Sequence, residues 1–190
     1  MGILLLGLVL FLGVHSISIV APRWREAARR RLGEGGWKGL HGLVSLLGFG
    51  LIVYGFALAR RESLVLYYPP QWLRYATLLL MLPVFPLLIA AYLPGRIKAA
   101  AKHPMLAAVK LWAFAHLLAN GSLPDVLLFG GFLAWAVADR ISLKHRAPQP
   151  SGAVAGSPWN DVIAVVLGLA LYALTVGWAH VWLFGVAPLG

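Results

Sequence analysis

Apolar residues fall in long blocks along this chain, separated by short polar stretches. In hydrocarbon every backbone amide must be bonded internally, so a long apolar run predicts a helix, and about 20 residues cross a bilayer. The blocks predict helices over about 2–20, 37–59, 72–93, 104–121, 125–138 and 159–184. Pro22 ends the first, Arg60 and Arg61 the second, and Leu93-Pro94-Gly95 the third. Pro83 and Pro86 lie inside the third, where each removes a backbone donor and predicts a kink. Pro104 suits the first turn of the fourth. The fourth and fifth are short, and Lys110 interrupts the fourth, which allows a shallow hairpin. Between the blocks, Arg23 to Lys38 reads as a basic loop, and Arg140 to Gly156 as a flexible loop with Pro148 and Pro150. The expected fold is all-α: one integral membrane domain, residues 1–190, built as a polytopic transmembrane bundle of about six helices.

Composition agrees. The 190 residues are 61% hydrophobic and only 12% charged, half the roughly 25% charged of a soluble domain. Such a chain cannot build an ordinary aqueous surface, so its main solvent is lipid. Gly2 to Val14 is apolar but follows no basic residue, which departs from a signal peptide and predicts a retained first helix. The net charge of +10 would suggest nucleic acid in a soluble protein. Here the charges sit in short connections, so they report topology and no nucleic-acid partner is expected. Twelve basic residues lie between helices one and two, three and four, and five and six, against Arg60, Arg61 and Arg74 on the other side. The positive-inside rule then places both termini on the periplasmic side of a bacterial inner membrane. Trp24, Trp37 and Trp159 fit the inner interface, and Tyr67, Tyr68, Trp72 and Trp182 the outer.

The chain has no cysteine, which excludes disulfides, thiolate-ligated metals and cysteine nucleophiles. No paired carboxylates, phosphate-binding glycine loop or inverted repeat is seen, and a transporter is disfavoured on the last ground. The informative residues are histidines. His15, His41, His116 and His180 lie in or near apolar helices, where ionisable groups usually face the bundle interior, and neutral imidazole is the commonest metal ligand. His15 shares a face with Phe11 and Ser18. Trp112, His116 and Asn120 recur four apart, offering an aromatic wall, a ligand and an amide. His41 heads a stripe with Ser45, Gly48, Ile52 and Gly55, whose small residues allow close helix approach. His41 and His180 sit near helix ends, where an interfacial role is easy. Spacing alone leaves each histidine open between ligation and an interhelical hydrogen bond. A haem, if bound, would be b-type, because no CxxCH occurs.

Several of these segments together resemble the NnrU family of bacterial membrane proteins. They are Phe11-Leu-Gly-Val-His15-Ser16, Gly36-Trp-Lys-Gly-Leu-His41-Gly-Leu-Val-Ser45, Lys102-His103-Pro104-Met105, Leu111-Trp112-Ala-Phe-Ala-His116-Leu-Leu-Ala-Asn120-Gly121 and the ending from Ala179-His180 to Pro188. The family is similar in turn to the 15-cis-zeta-carotene isomerases of plants and cyanobacteria, membrane enzymes holding a b-type haem between two histidines. The resemblance implies haem b held by His15 and His116; spacing and position add Trp112, Asn120, His41 and His180 as further candidate cofactor-binding residues. It implies a link to nitrogen-oxide metabolism (denitrification), with nitric oxide as one possible partner. It also implies, as an alternative, cis-trans isomerisation of a carotenoid-like polyene. Ala115 and the stretch Val126 to Phe129 carry no metal-binding side chain where the isomerase has one, so haem binding carries over more readily than isomerase chemistry. A haem-free structural or assembly protein is the third reading. One tension stands within the ligand pair. Counted at 1.5 Å per residue, His15 lies towards the cytoplasm and His116 towards the outer face. Lys110 as the true membrane boundary of the fourth helix resolves it, as would His15 pairing with His41 or His116 with His180.

Overall fold

The computed structural model describes residues 1–61, 63–146 and 156–189. The fold is all-α; among the described residues the only β feature is an isolated antiparallel bridge between Val65 and Ser122. Five helical stretches are long and apolar enough to cross a membrane: Gly2–Val20, Pro22–Ala59, Trp72–Ala90, Leu123–His145 and Pro158–Phe184. Pro104–Ala119 is a shorter apolar helix. The apolar windows of the five are only 11% to 22% buried within the chain. That much exposed hydrocarbon is stable only if lipid covers it, so this is a multi-pass membrane protein.

The chain divides into two compact units. The first comprises residues 1–68 and 120–144. It contains α1 (Gly2–Val20), α2 (Pro22–Ala59) and α7 (Leu123–His145). The expected loop from Arg23 to Lys38 is helical instead. Pro22 occupies the first turn of α2, where its fixed φ favours the helix. The Ala- and Arg-rich sequence after it has high helix propensity. Charge ended the apolar run there without ending the helix. The single break is Gly33, at φ 72° and ψ 167°, a conformation open to glycine and costly for other residues. Arg29 spans that break, with Nη2 2.5 Å from the Glu34 carboxylate and Nη1 3.4 Å from Glu26. Lys38 adds a second partner to Glu34 at 3.2 Å.

Beyond the break, α2 returns along α1, and the expected small-residue stripe forms the contact. Gly48, Ile52 and Gly55 are buried on α2, and Leu4, Gly7 and Leu8 on α1. A Cβ on Gly48 would sit 2.8 Å from the Phe11 amide nitrogen, and one on Gly7 2.6 Å from that of Ile52. A Cβ on Gly55 would collide with the Leu4 backbone. The two backbones therefore touch, which apolar helices in lipid use in place of a hydrophobic driving force.

The third helix of this unit, α7, runs to His145 rather than stopping near Ala138. Asp139, Arg140 and Lys144 end the apolar run, but no helix breaker is present before Pro148. The expected loop therefore begins after the helix, and residues 147–155 lie outside the described residues. At its start the Asp125 carboxylate holds Ser122, accepting from its backbone N–H at 3.2 Å and from its hydroxyl at 2.5 Å; the first of these is one half of a capping box. The preceding chain is tied back to the 64–67 segment. Leu66 N–H donates to Gly121 O, Leu123 N–H to Leu64 O, and the Tyr67 hydroxyl to Asn120 O at 2.7 Å. Burial first, and then the Asp125 carboxylate, pushes the Tyr67 hydroxyl above its ordinary range.

The second unit comprises residues 69–119 and 145–190. It contains α3 (Trp72–Met81), α4 (Val84–Ala90), α5 (Arg96–Ala101), α6 (Pro104–Ala119), α8 (Pro158–Leu174) and α9 (His180–Phe184). The two prolines break the third apolar block as expected. Helix stops at Met81 and resumes at Val84. Pro83 cannot donate to Leu79 O, and the Leu82 N–H takes that carbonyl instead, at 3.3 Å. Gly168 of α8 packs directly on Pro86, where a Cβ would clash with the proline backbone. Asp161 of α8 caps α5 from a distance, accepting from the Arg96 and Ile97 amides at 2.9 and 3.0 Å. A π-helical turn, Thr175–Ala179, separates α8 from α9.

Candidate functional site

Of the histidines singled out from the sequence, the structure brings two together. In the first unit the His15 and His41 rings meet edge-to-face with centroids 5.0 Å apart. This follows from the α1–α2 contact: glycines hold the backbones together at residues 7, 48 and 55, and the same antiparallel register delivers His15 to His41. Phe11 stacks on His15 at 4.4 Å, and Trp135 of α7 meets it edge-on at 5.9 Å. Trp37 lies 6.0 Å from His41. Both imidazoles are half-buried.

The hydrogen bonds distinguish the two. His15 Nδ1 lies 2.7 Å from the Phe11 carbonyl oxygen. A carbonyl only accepts, so Nδ1 carries the proton and Nε2 the lone pair. His41 has no such anchor; its Nδ1 faces the Ser45 hydroxyl at 3.5 Å, and that hydroxyl donates to the His41 carbonyl at 2.7 Å.

In the second unit, His116 repeats the His15 arrangement. Its Nδ1 lies 2.8 Å from the Trp112 carbonyl, and the Trp112 ring sits 5.4 Å away. The two segments share one local design: an aromatic residue, three intervening residues, then a histidine whose Nδ1–H is held by the aromatic residue's carbonyl. Asn120, the third member of the expected Trp112–His116–Asn120 stripe, lies beyond the last helical residue, and its carbonyl is used by Tyr67. His180 follows the π turn and donates from Nδ1 to Val186 O at 2.8 Å, with Phe184 at 5.0 Å. It closes the terminal turn, in keeping with its place near a helix end.

Trp135 was not anticipated from the sequence. Its indole nitrogen is buried with no hydrogen-bond partner among the described residues, and it stands beside His15. A buried unmet donor costs about 1–3 kcal/mol. A tryptophan in an apolar block gives no sequence signal of this kind, because the isolation arises only when α7 packs on α1.

These features bear on whether the chain suits a haem. A metal-ligating histidine almost always donates its other ring N–H to a carbonyl or carboxylate, which fixes the ring and the tautomer. His15 and His116 meet that requirement. The unmet Trp135 N–H offers a donor to an acceptor group that the described residues do not supply. His15 and His41 together do not suit one iron. Axial nitrogens about 2 Å from a metal on opposite sides place the two ring centroids roughly 6 Å apart with a macrocycle between. The observed 5.0 Å edge-to-face contact leaves no such space. Among the described residues no cluster of three or more His, Asp or Glu could hold a metal ion alone.

A family model described as NnrU protein matches residues 3–188. No curated protein and no solved structure matches the chain.

Proposed function

The chain belongs to the NnrU family, and from that premise we propose that it is a haem-b-binding membrane protein in which His15 and His116 each supply one axial nitrogen. The observation that carries the reading is the shared anchoring of these two rings by the carbonyl four residues earlier. Each anchor presets the tautomer that leaves Nε2 able to ligate. Phe11 and Trp112 restrict rotation of the rings they contact, and Trp135 provides a hydrogen-bond donor beside His15. The haem would supply a redox-active iron. Two imidazoles on that iron would leave it no free position for nitric oxide while both hold. We place the protein as an accessory to nitrogen-oxide metabolism on the family's association.

The test is an absorbance spectrum of detergent-purified protein from haem-sufficient cells. A Soret band, with a b-type pyridine haemochrome near one haem per chain, is the expected result. Colourless protein that takes up no added haemin would reject the reading. It would favour a haem-free structural protein, for which the same bonds serve to satisfy two histidines in hydrocarbon.

We also propose that both termini face the periplasm of the inner membrane, from the twelve-to-three basic bias. A C-terminal alkaline phosphatase fusion is expected to be active and a green fluorescent protein fusion dark. The reverse pattern would invert the topology.

A further inference from the structure

We propose that the first unit holds an anionic phospholipid, its acyl chain in the groove between α1 and α2 and its phosphate over Arg23, Arg30 and Arg31. The groove has a volume of about 310 Å³ and is almost wholly apolar. Val9, Leu10, Gly13, Val14 and Ile17 form its α1 wall, and Trp24, Trp37, Leu40, His41 and Val44 the α2 wall. It lies on the other face of α1 from His15, so it is not the haem site. Trp24 and Trp37 meet at 6.1 Å, bringing the basic first segment of α2 to the groove.

That segment supplies the argument for charge. It is a helix, so its side chains have fixed directions. At 100° per residue, Arg23, Arg30 and Arg31 fall within about a third of the helix circumference, and Trp24 lies at the edge of the same sector. All three arginines are exposed. Arg29, on another face, is taken by Glu26 and Glu34. Arg23, Arg30 and Arg31 have no ion-pair or hydrogen-bond partner among the described residues. Three unpaired guanidiniums on the helical segment whose Trp24 lines an apolar groove match a ligand that joins a phosphate to a long hydrocarbon chain. Guanidinium suits phosphate in particular, since its donors engage two oxygens at once. A zwitterionic lipid fits the groove equally but places a competing ammonium among the arginines.

The experiment uses the full chain in phosphatidylcholine vesicles, with brominated phosphatidylglycerol or brominated phosphatidylcholine as quencher of tryptophan fluorescence. Basic residues near an anionic surface contribute enough each that three correspond to a preference on the order of a hundredfold. The wild type is expected to bind phosphatidylglycerol with a preference approaching that value. Arg23→Gln/Arg30→Gln/Arg31→Gln is expected to lose at least tenfold of it. Gly13→Leu tests the groove separately: a Cβ at Gly13 meets nothing within 4 Å, so the helix tolerates it while the side chain fills the space. It is expected to weaken quenching by both lipids. Full preference in the triple variant would overturn the proposal, as would unchanged quenching in Gly13→Leu. So would displacement of the lipid by millimolar inorganic phosphate, which would assign the arginines to a free anion. The readout is the difference between two brominated lipids on one protein, in which any quenching by bound haem cancels, so failure here leaves the haem reading standing.

Discussion

His15→Ala and His116→Ala are each expected to abolish the low-spin haem spectrum, while His41→Ala and His180→Ala leave it largely intact. The contrast follows from what holds each ring. His15 and His116 donate Nδ1–H to Phe11 O and Trp112 O, which leaves the Nε2 lone pair available to a metal. His41 faces a hydroxyl, and His180 closes the terminal turn through Val186 O. Removing one ligand of a bis-histidine pair should convert the iron to a high-spin, five-coordinate form or release the haem altogether. The measurement is the reduced-minus-oxidised spectrum, with haem content scored against protein. A normal six-coordinate spectrum in His15→Ala or His116→Ala would remove that residue from the ligand set. Loss of it in His41→Ala would show that the edge-to-face contact opens to admit the haem. Trp135→Phe serves as a finer probe. It keeps the ring and deletes the unmet N–H, and should shift the haem's reduction potential while retaining the haem.

Gly48→Leu and Gly55→Leu are expected to destabilise the first unit severely. At these positions a side chain meets main chain rather than flexible atoms. The first Cβ already stands 2.8 Å from the Phe11 nitrogen, and the second collides with the Leu4 backbone. Overpacking a core usually costs 1–3 kcal/mol when side chains can yield. With no side chain to yield, these variants should reach or exceed about 3 kcal/mol. Gly50→Leu is the internal control. It lies on the same helix, carries the same propensity change, and has nothing within 4 Å of its Cβ. Thermal melts in detergent should place Gly48→Leu and Gly55→Leu well below Gly50→Leu, with reduced folded yield. Equal melting temperatures would refute the close contact of α1 and α2. Because the same register sets His15 against His41, haem content should fall with stability in the two destabilised variants.

Much of the architecture was legible in the sequence because lipid imposes simple rules. Hydrophobic runs must be helical, and prolines inside them must break the hydrogen-bond ladder. The interruption at Leu82-Pro83 and the packing of Gly48, Ile52 and Gly55 follow from those rules. The differences have one cause: an apolar run ends where its helix does not. At Arg23 to Lys38 and at Asp139 to His145 the chain leaves the apolar pattern but keeps helical propensity, so α2 begins at Pro22 and α7 continues to His145. Hydropathy reports the solvent around a residue, and only Gly33 and Pro148 carry the backbone signals that hydropathy lacks.

The site divides in the same way. That His15 and His116 merit attention was determined by the sequence, through imidazoles in apolar helices four residues after an aromatic side chain. A helix puts that carbonyl within reach of the ring, but Trp37 also stands four residues before His41 without anchoring it, so the spacing permits the anchor and does not dictate it. What tertiary structure alone decided is which groups arrive from other helices. His41 reaches His15 because three glycines let two backbones touch. Trp135 brings an unmet donor because α7 lies against α1. The groove beneath Trp24 and Trp37 exists because Gly33 turns the basic segment back over it. Each depends on the distance and rotation between helices, which are set by side chains remote in sequence.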